Sequence, residues 1–166
     1  NPIMDKMIIK ISVLTGKPYF CGGFDTESEE GRLWIVIKTI QDILEDFARQ
    51  DKIVVGLTGL ALGIDQEFAQ ICLTKGLKYQ VYLAYDDMDK NWKSLPDTTA
   101  KRYRNLLDKS ENTIIMAEGA FSPKKILNQK IKVVRESDVI IRVDSKLPNK
   151  NQTIRSLLNN KIVIDI

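Results

Sequence analysis

Two stretches of this sequence bring glycine, a hydroxyl residue and a charged residue together after an apolar run. The first is Thr15-Gly16-Lys17 followed by Gly22-Gly23; the second is Thr58-Gly59-Leu60-Ala61-Leu62-Gly63-Ile64-Asp65. Glycine permits positive φ and lets backbone approach a ligand with no Cβ in the way. Exposed amides beside Lys17 suit a phosphate or another anion, and suit a solvated surface turn equally well. In the second stretch the amides fall at a helix start, where unpaired N–H groups and the positive dipole end favour an anion. Its Gly-x-x-x-Gly spacing departs from the dinucleotide fingerprint, and the same glycines would also serve tight strand-to-helix packing. Asp65 competes with phosphate for those amides. It can instead accept ribose hydroxyls, cap the helix or fix the loop.

Other charged groups are weaker signals. Asp86, Asp87 and Asp89 follow a strand and could hold Mg2+ against a phosphorylated ligand, but clustered Asp more simply marks a polar turn. No resident cofactor or metal is predicted. Ser122-Pro123 is an N-cap followed by proline, and Lys124 and Lys125 then sit in a first turn, against the dipole preference. That conflict favours an anion-meeting role for one of these lysines. Trp92 is placed either stacked on a base or capping the core, and Arg102 within reach of the pocket.

The chain of 166 residues contains no histidine, which excludes Ser–His and Cys–His nucleophile systems and His-ligated zinc. Cys21 and Cys72 are too few for a disulfide framework or a closed zinc site and read as free thiols. Chemistry must therefore run on carboxylates, Lys, Arg, Tyr, backbone amides or a bound cofactor. A net charge of +3, with no stripe of aromatic and basic residues, gives no argument for nucleic acid.

The elements that would position these residues alternate. Strands are predicted at Met7–Leu14, Lys52–Leu57, Tyr79–Ala84, Thr113–Met116, Asp138–Val143 and Lys161–Ile166. Helices are predicted at Leu33–Arg49, Asp65–Lys75, Asp97–Lys109, from Ser122 onward, and at Thr153–Leu158. The pattern implies an α/β fold, Rossmann-like and doubly wound, with a mostly parallel sheet flanked by helices in a single domain. Ligands of such sheets bind outside the carboxyl ends of the strands, which points to the loops above. Residues 1–7 are read as a flexible or expression-derived start, since Asn1-Pro2-Ile3 precede Met4, and residues 8–166 as the domain. No apolar run approaches the roughly 18 residues of a membrane helix, so a cytoplasmic protein with no membrane partner is expected.

These motifs resemble the SLOG superfamily, which groups the SMF/DprA and LOG Rossmannoid domains, and most of all its YpsA-like branch. TGKPYFCGGFD is similar to the branch's first loop, with one residue fewer and Lys17 for a basic pair that often includes histidine. Gly59-Leu60-Ala61-Leu62-Gly63-Ile64-Asp65-Gln66 nearly reproduces its second loop. Trp92 through Tyr103 resembles the W-P…RY segment, and GAFSPKK, Gly119–Lys125, resembles G-x-Y-S-P-W-K. The similarity spans essentially the whole chain, Ile8 to Ile166.

The resemblance implies a pocket for a nucleotide-derived small molecule. Backbone around Thr15, Gly16, Gly22, Gly23, Gly59, Ala61 and Gly63 would hold phosphates and Lys17 would neutralise charge. Asp65 would contact ribose, Ser122, Lys125 and Asp144 would adjoin the ligand, and Thr153 would close the far side. It also implies two alternatives, LOG-like release of a base from ribose 5-phosphate and DprA-like binding of single-stranded nucleic acid, and a homodimer in keeping with LOG-type relatives. The chain departs from LOG enzymes where they carry PGGxGTxxE: the stretch from Asp144 to Thr153 has no glycine, and Ser156 stands where the glutamate would be. Gln129-Lys130 likewise replaces a usual Arg-Asn pair. These departures point to a binder or sensor rather than inherited glycoside cleavage.

Overall fold

The computed structural model describes residues 7–15, 27–143 and 151–166, with backbone alone for residues 27–32. Six strands are described: β1 (Ile8–Thr15), β2 (Ile53–Thr58), β3 (Lys78–Leu83), β4 (Asn112–Ile115), β5 (Val139–Val143) and β6 (Ile162–Asp165). The helices between them are α1 (Glu27–Arg49), α2 (Ile64–Thr74), α3 (Asp97–Lys109), α4 (Pro123–Glu136) and α5 (Gln152–Leu158). The strands form one sheet in the order β4-β3-β2-β1-β5-β6, every pairing parallel. The α/β Rossmann-like architecture is therefore as the alternating pattern requires. The chain winds outward from β1 to β4 and then returns to β5, so the switch in direction lies between β1 and β5.

Alternation along the strands divides the core. Ile9 and Ile11 of β1, Val81 and Leu83 of β3 and Ile141 of β5 pack against Val36, Ile40 and Leu44 of α1, Phe68 and Ile71 of α2 and Leu106 of α3. Leu14 and Ile140 point the other way, toward Val134 of α4 and Ile154 and Leu158 of α5, and Val55 and Leu57 of β2 meet Val133 of α4 on that same side. Helix α4 is thus the cover over the carboxyl halves of β1 and β2. A buried hydroxyl pair, Ser12 Oγ to Ser137 Oγ at 2.7 Å, ties β1 to the residue that ends α4.

Differences from the expected elements are local. Helix α1 starts at Glu27, a 3₁₀ turn at Met88–Trp92 follows β3, and Thr15 is the last strand residue rather than loop. Helix α2 starts at Ile64 with Gly63, not Asp65, at its N-cap. Gly76 at φ +70° follows the end of that helix, and Ser122 caps α4 by accepting the Lys125 N–H at 3.1 Å. Among the described residues, no helix is long and apolar enough to cross a membrane.

Candidate functional site

The turn from β2 into α2 is held by its own side chains. Thr58, buried at the strand end, donates from Oγ1 to the Asp65 carbonyl at 3.0 Å and accepts the Leu60 N–H at 3.2 Å. Leu60 takes a left-handed conformation, φ 55°, which turns its side chain wholly into the core. The Gln66 amide, also buried, donates to the Leu60 carbonyl at 3.0 Å. Gly63 sits at φ 97°, ψ −131°, a region open to glycine alone, and its carbonyl accepts the first helical bond from Glu67 at 3.0 Å. The Gly-x-x-x-Gly spacing thus has two separate causes. Gly63 is required by backbone conformation and Gly59 by space: a Cβ there would stand 1.8 Å from Gln129 Nε2.

Asp65 occupies the inside of this turn. The N–H groups of Gly59 and Ala61 interact with its carboxylate, and Lys130 faces it from α4. Burial is the largest influence and pushes the carboxyl up to about 6, against the lowering pull of Lys130 and the two amides. Amides that would cradle an incoming phosphate therefore already serve an internal acid.

A cavity of about 280 Å3 opens beside the turn. Its walls are the end of β1 from Ser12 to Thr15, Leu57 and Thr58 of β2, Gly59, Ala61 and Leu62 of the turn, Ile64 and Asp65 of α2, and Ile126, Gln129, Lys130, Val133 and Val134 of α4. It lies at the carboxyl ends of central strands, where α/β sheets bind ligands. Most of the wall is hydrocarbon, and the polar groups converge from the turn and from α4.

Of the residues singled out in the sequence, Thr15, Gly59, Ala61 and Asp65 line this cavity, and Gly63 shapes the turn behind it. Ser122 and Lys125 are at the start of α4, outside the lining, where both serve the local fold. Lys125 Nζ donates to the Glu118 carbonyl at 2.6 Å and the Ala120 carbonyl at 2.7 Å, which accounts for a lysine in the first turn. Thr153 is exposed in the first turn of α5, whose N-cap is Asn151, and does not reach the cavity. Gly16, Lys17, Gly22, Gly23 and Asp144 lie outside the described residues, as does Cys21.

Other candidates find structural partners. The Asp86 carboxylate accepts the Gly119 N–H at 2.7 Å and Asp87 pairs with Lys90 at 2.9 Å; among the described residues no group of acids is arranged to hold a metal ion. Trp92 packs edge-on against Tyr103 at 5.0 Å, and Arg102 bonds Glu67 at 2.9 Å. Cys72 is buried and its thiol is pushed up to about 12, so it is inert. Among the lining residues that the sequence does not single out as a site, Gln129 and Lys130 bring polar groups from α4. The one signal for them in the sequence is that they stand where the resembled branch usually carries Arg-Asn. Comparison of the chain with protein-family models and with curated proteins gives no match.

Proposed function

We propose that this chain binds a nucleotide or nucleotide-derived small molecule in the cavity at the carboxyl ends of β1 and β2, as a ligand sensor or divergent enzyme of SLOG type. The carrying observation is the position of that cavity, between the Gly59–Gly63 turn and α4 at the ligand-binding end of a doubly wound sheet. Thr15 of β1 is in register with Val143 of β5, so the strands leading to the Gly16–Gly23 and Asp144–Lys150 stretches end side by side. The first of these stretches carries Lys17 and the glycines expected to meet phosphate, and we place the charged end of the ligand on that side.

A thermal-shift series tests this reading with nucleosides, nucleoside monophosphates, ADP-ribose and short oligonucleotides. Stabilisation by a small nucleoside or nucleotide that is lost in Asp65→Ala supports it. Stabilisation by oligonucleotides alone, falling steeply with salt, would replace it with single-strand binding. One observation favours a catalytic variant of the same site: a carboxyl at about 6 facing Lys130 suits proton transfer near neutrality. Release of free base from a nucleoside monophosphate, abolished in Asp65→Asn, would establish that variant.

A further inference from the structure

Most polar groups of the cavity are already engaged in the fold. Ser12 bonds Ser137, the Thr58 hydroxyl bridges the turn, and the Asp65 carboxylate meets the Gly59 and Ala61 amides. Gln129 differs. It is 7% exposed, yet among the described residues its amide makes no hydrogen bond. Among the described residues no sealed side-chain nitrogen or oxygen lacks a partner, so the unpaired amide opens into the cavity it lines. Its Nε2 rests where a Gly59 Cβ would be, which fixes one side of the amide against backbone. An amide that opens into a cavity with no protein partner leaves its donor and its acceptor available to a complementary ligand.

Three features say what that ligand part is. The internal Asp65 carboxylate already serves the turn amides, so a phosphate placed there would meet a like charge as soon as that acid ionises. Most of the surrounding side chains, among them Leu14, Leu57, Ile126 and Val133, are hydrocarbon. The volume of about 280 Å3 lies just below the range of ligand pockets, roughly 300–1,000 Å3, and suits one ring system rather than a dinucleotide.

Resting on the reading that the cavity takes a nucleotide-derived ligand, we propose that Gln129 is its specificity-determining residue. The Gln129 amide grips the edge of an uncharged planar heterocycle by two parallel hydrogen bonds, Nε2 donating to a ring nitrogen and Oε1 accepting from an adjacent amino group. A 6-aminopurine meets this demand on either edge and leaves only ring acceptors over. Guanine, cytosine and uracil would each leave an exocyclic carbonyl or amino group unpaired against hydrocarbon walls.

Calorimetric titration of the wild type, Gln129→Met and Gln129→Glu with adenosine, purine riboside (which lacks the 6-amino group) and guanosine tests this. The wild type should bind adenosine about tenfold or more tighter than purine riboside. Gln129→Met should erase that difference by weakening adenosine alone. Gln129→Glu, which offers only acceptors, should shift preference toward guanosine, whose N1–H and N2–H2 are adjacent donors. Adenosine preference retained in Gln129→Met would overturn the assignment of Gln129 while leaving the cavity as the binding site. Failure of the wild type to bind any nucleoside or nucleotide would overturn both. Gln129→Met decides the matter should the buried glutamate prevent folding, which a melting curve of each variant reports.

Discussion

Gly59 and Gln129 share one volume: the amide of Gln129 fills the place where residue 59 would carry its Cβ, 1.8 Å from Nε2. The turn after β2 and the middle of α4 are therefore fitted to each other, although seventy positions separate them in the sequence.

Gly59→Ala is expected to displace the amide at small cost to stability, because the atoms in the way end a flexible side chain. The loss should be at or below the ~1 kcal/mol lower bound of overpacking costs. Ligand affinity should fall as it does in Gln129→Met, and the double variant should be no worse than either single one, since the two act on one contact. Additive losses in affinity would show that the residues act separately.

Gly63 has no such latitude. At φ 97°, ψ −131°, any Cβ is strained whatever the space, so Gly63→Ala should cost about 1–3 kcal/mol in chemical denaturation. A smaller cost would mean that the α2 N-cap relaxes to another conformation.

Thr58 is the strut of the turn. Thr58→Val keeps the shape but leaves the buried Leu60 N–H without its acceptor, so a loss of about 1–3 kcal/mol is expected. Faster amide hydrogen exchange at Leu60, with β3 and β4 unchanged, would confirm that the defect is local; an unchanged Leu60 rate would contradict the role given to Thr58.

Asp65 makes stability depend on pH in an unusual direction for a carboxylate. Its carboxyl rises from 3.8 to about 6 on folding, so within that window the folded chain holds the proton more tightly than the unfolded chain. Stability from this group is greatest below 3.8, falls as pH rises through the window, and levels off above about 6. Denaturation of the wild type compared with Asp65→Asn should show the wild type losing ground between about pH 4 and pH 7. A constant difference across that range would mean that Asp65 stays well solvated.

Local signals in the sequence carried most of the fold. Apolar β-branched runs such as Ile53–Thr58, the Ser122-Pro123 cap and Gly76 past α2 are each legible within a few residues, and regular alternation then implies parallel crossovers. The turn was legible as a site by its glycines, but not the division of labour between them. Gly63 answers to φ, whereas Gly59 answers to a side chain on a distant helix. Gln129 and Lys130 could not be found by spacing because they join the cavity only when α4 crosses the sheet. Asp65 reads as an N-cap from its neighbours, yet it is the second residue of α2 and its carboxylate turns back to Gly59 and Ala61. Lys125 reads as an anion ligand in the sequence, and its reach to the Glu118 and Ala120 carbonyls is a local role that spacing does not reveal.

The most direct test is amide chemical-shift mapping of the full chain titrated with adenosine and with adenosine 5′-monophosphate. Shifts should concentrate at Thr58–Asp65 and at Ile126–Val134, including the Gln129 side-chain amide. Asn159–Ile162, at the opposite end of the sheet, should stay unmoved. No shifts with either compound, or shifts centred away from the Gly59–Gln129 contact, would contradict a ligand site in this cavity.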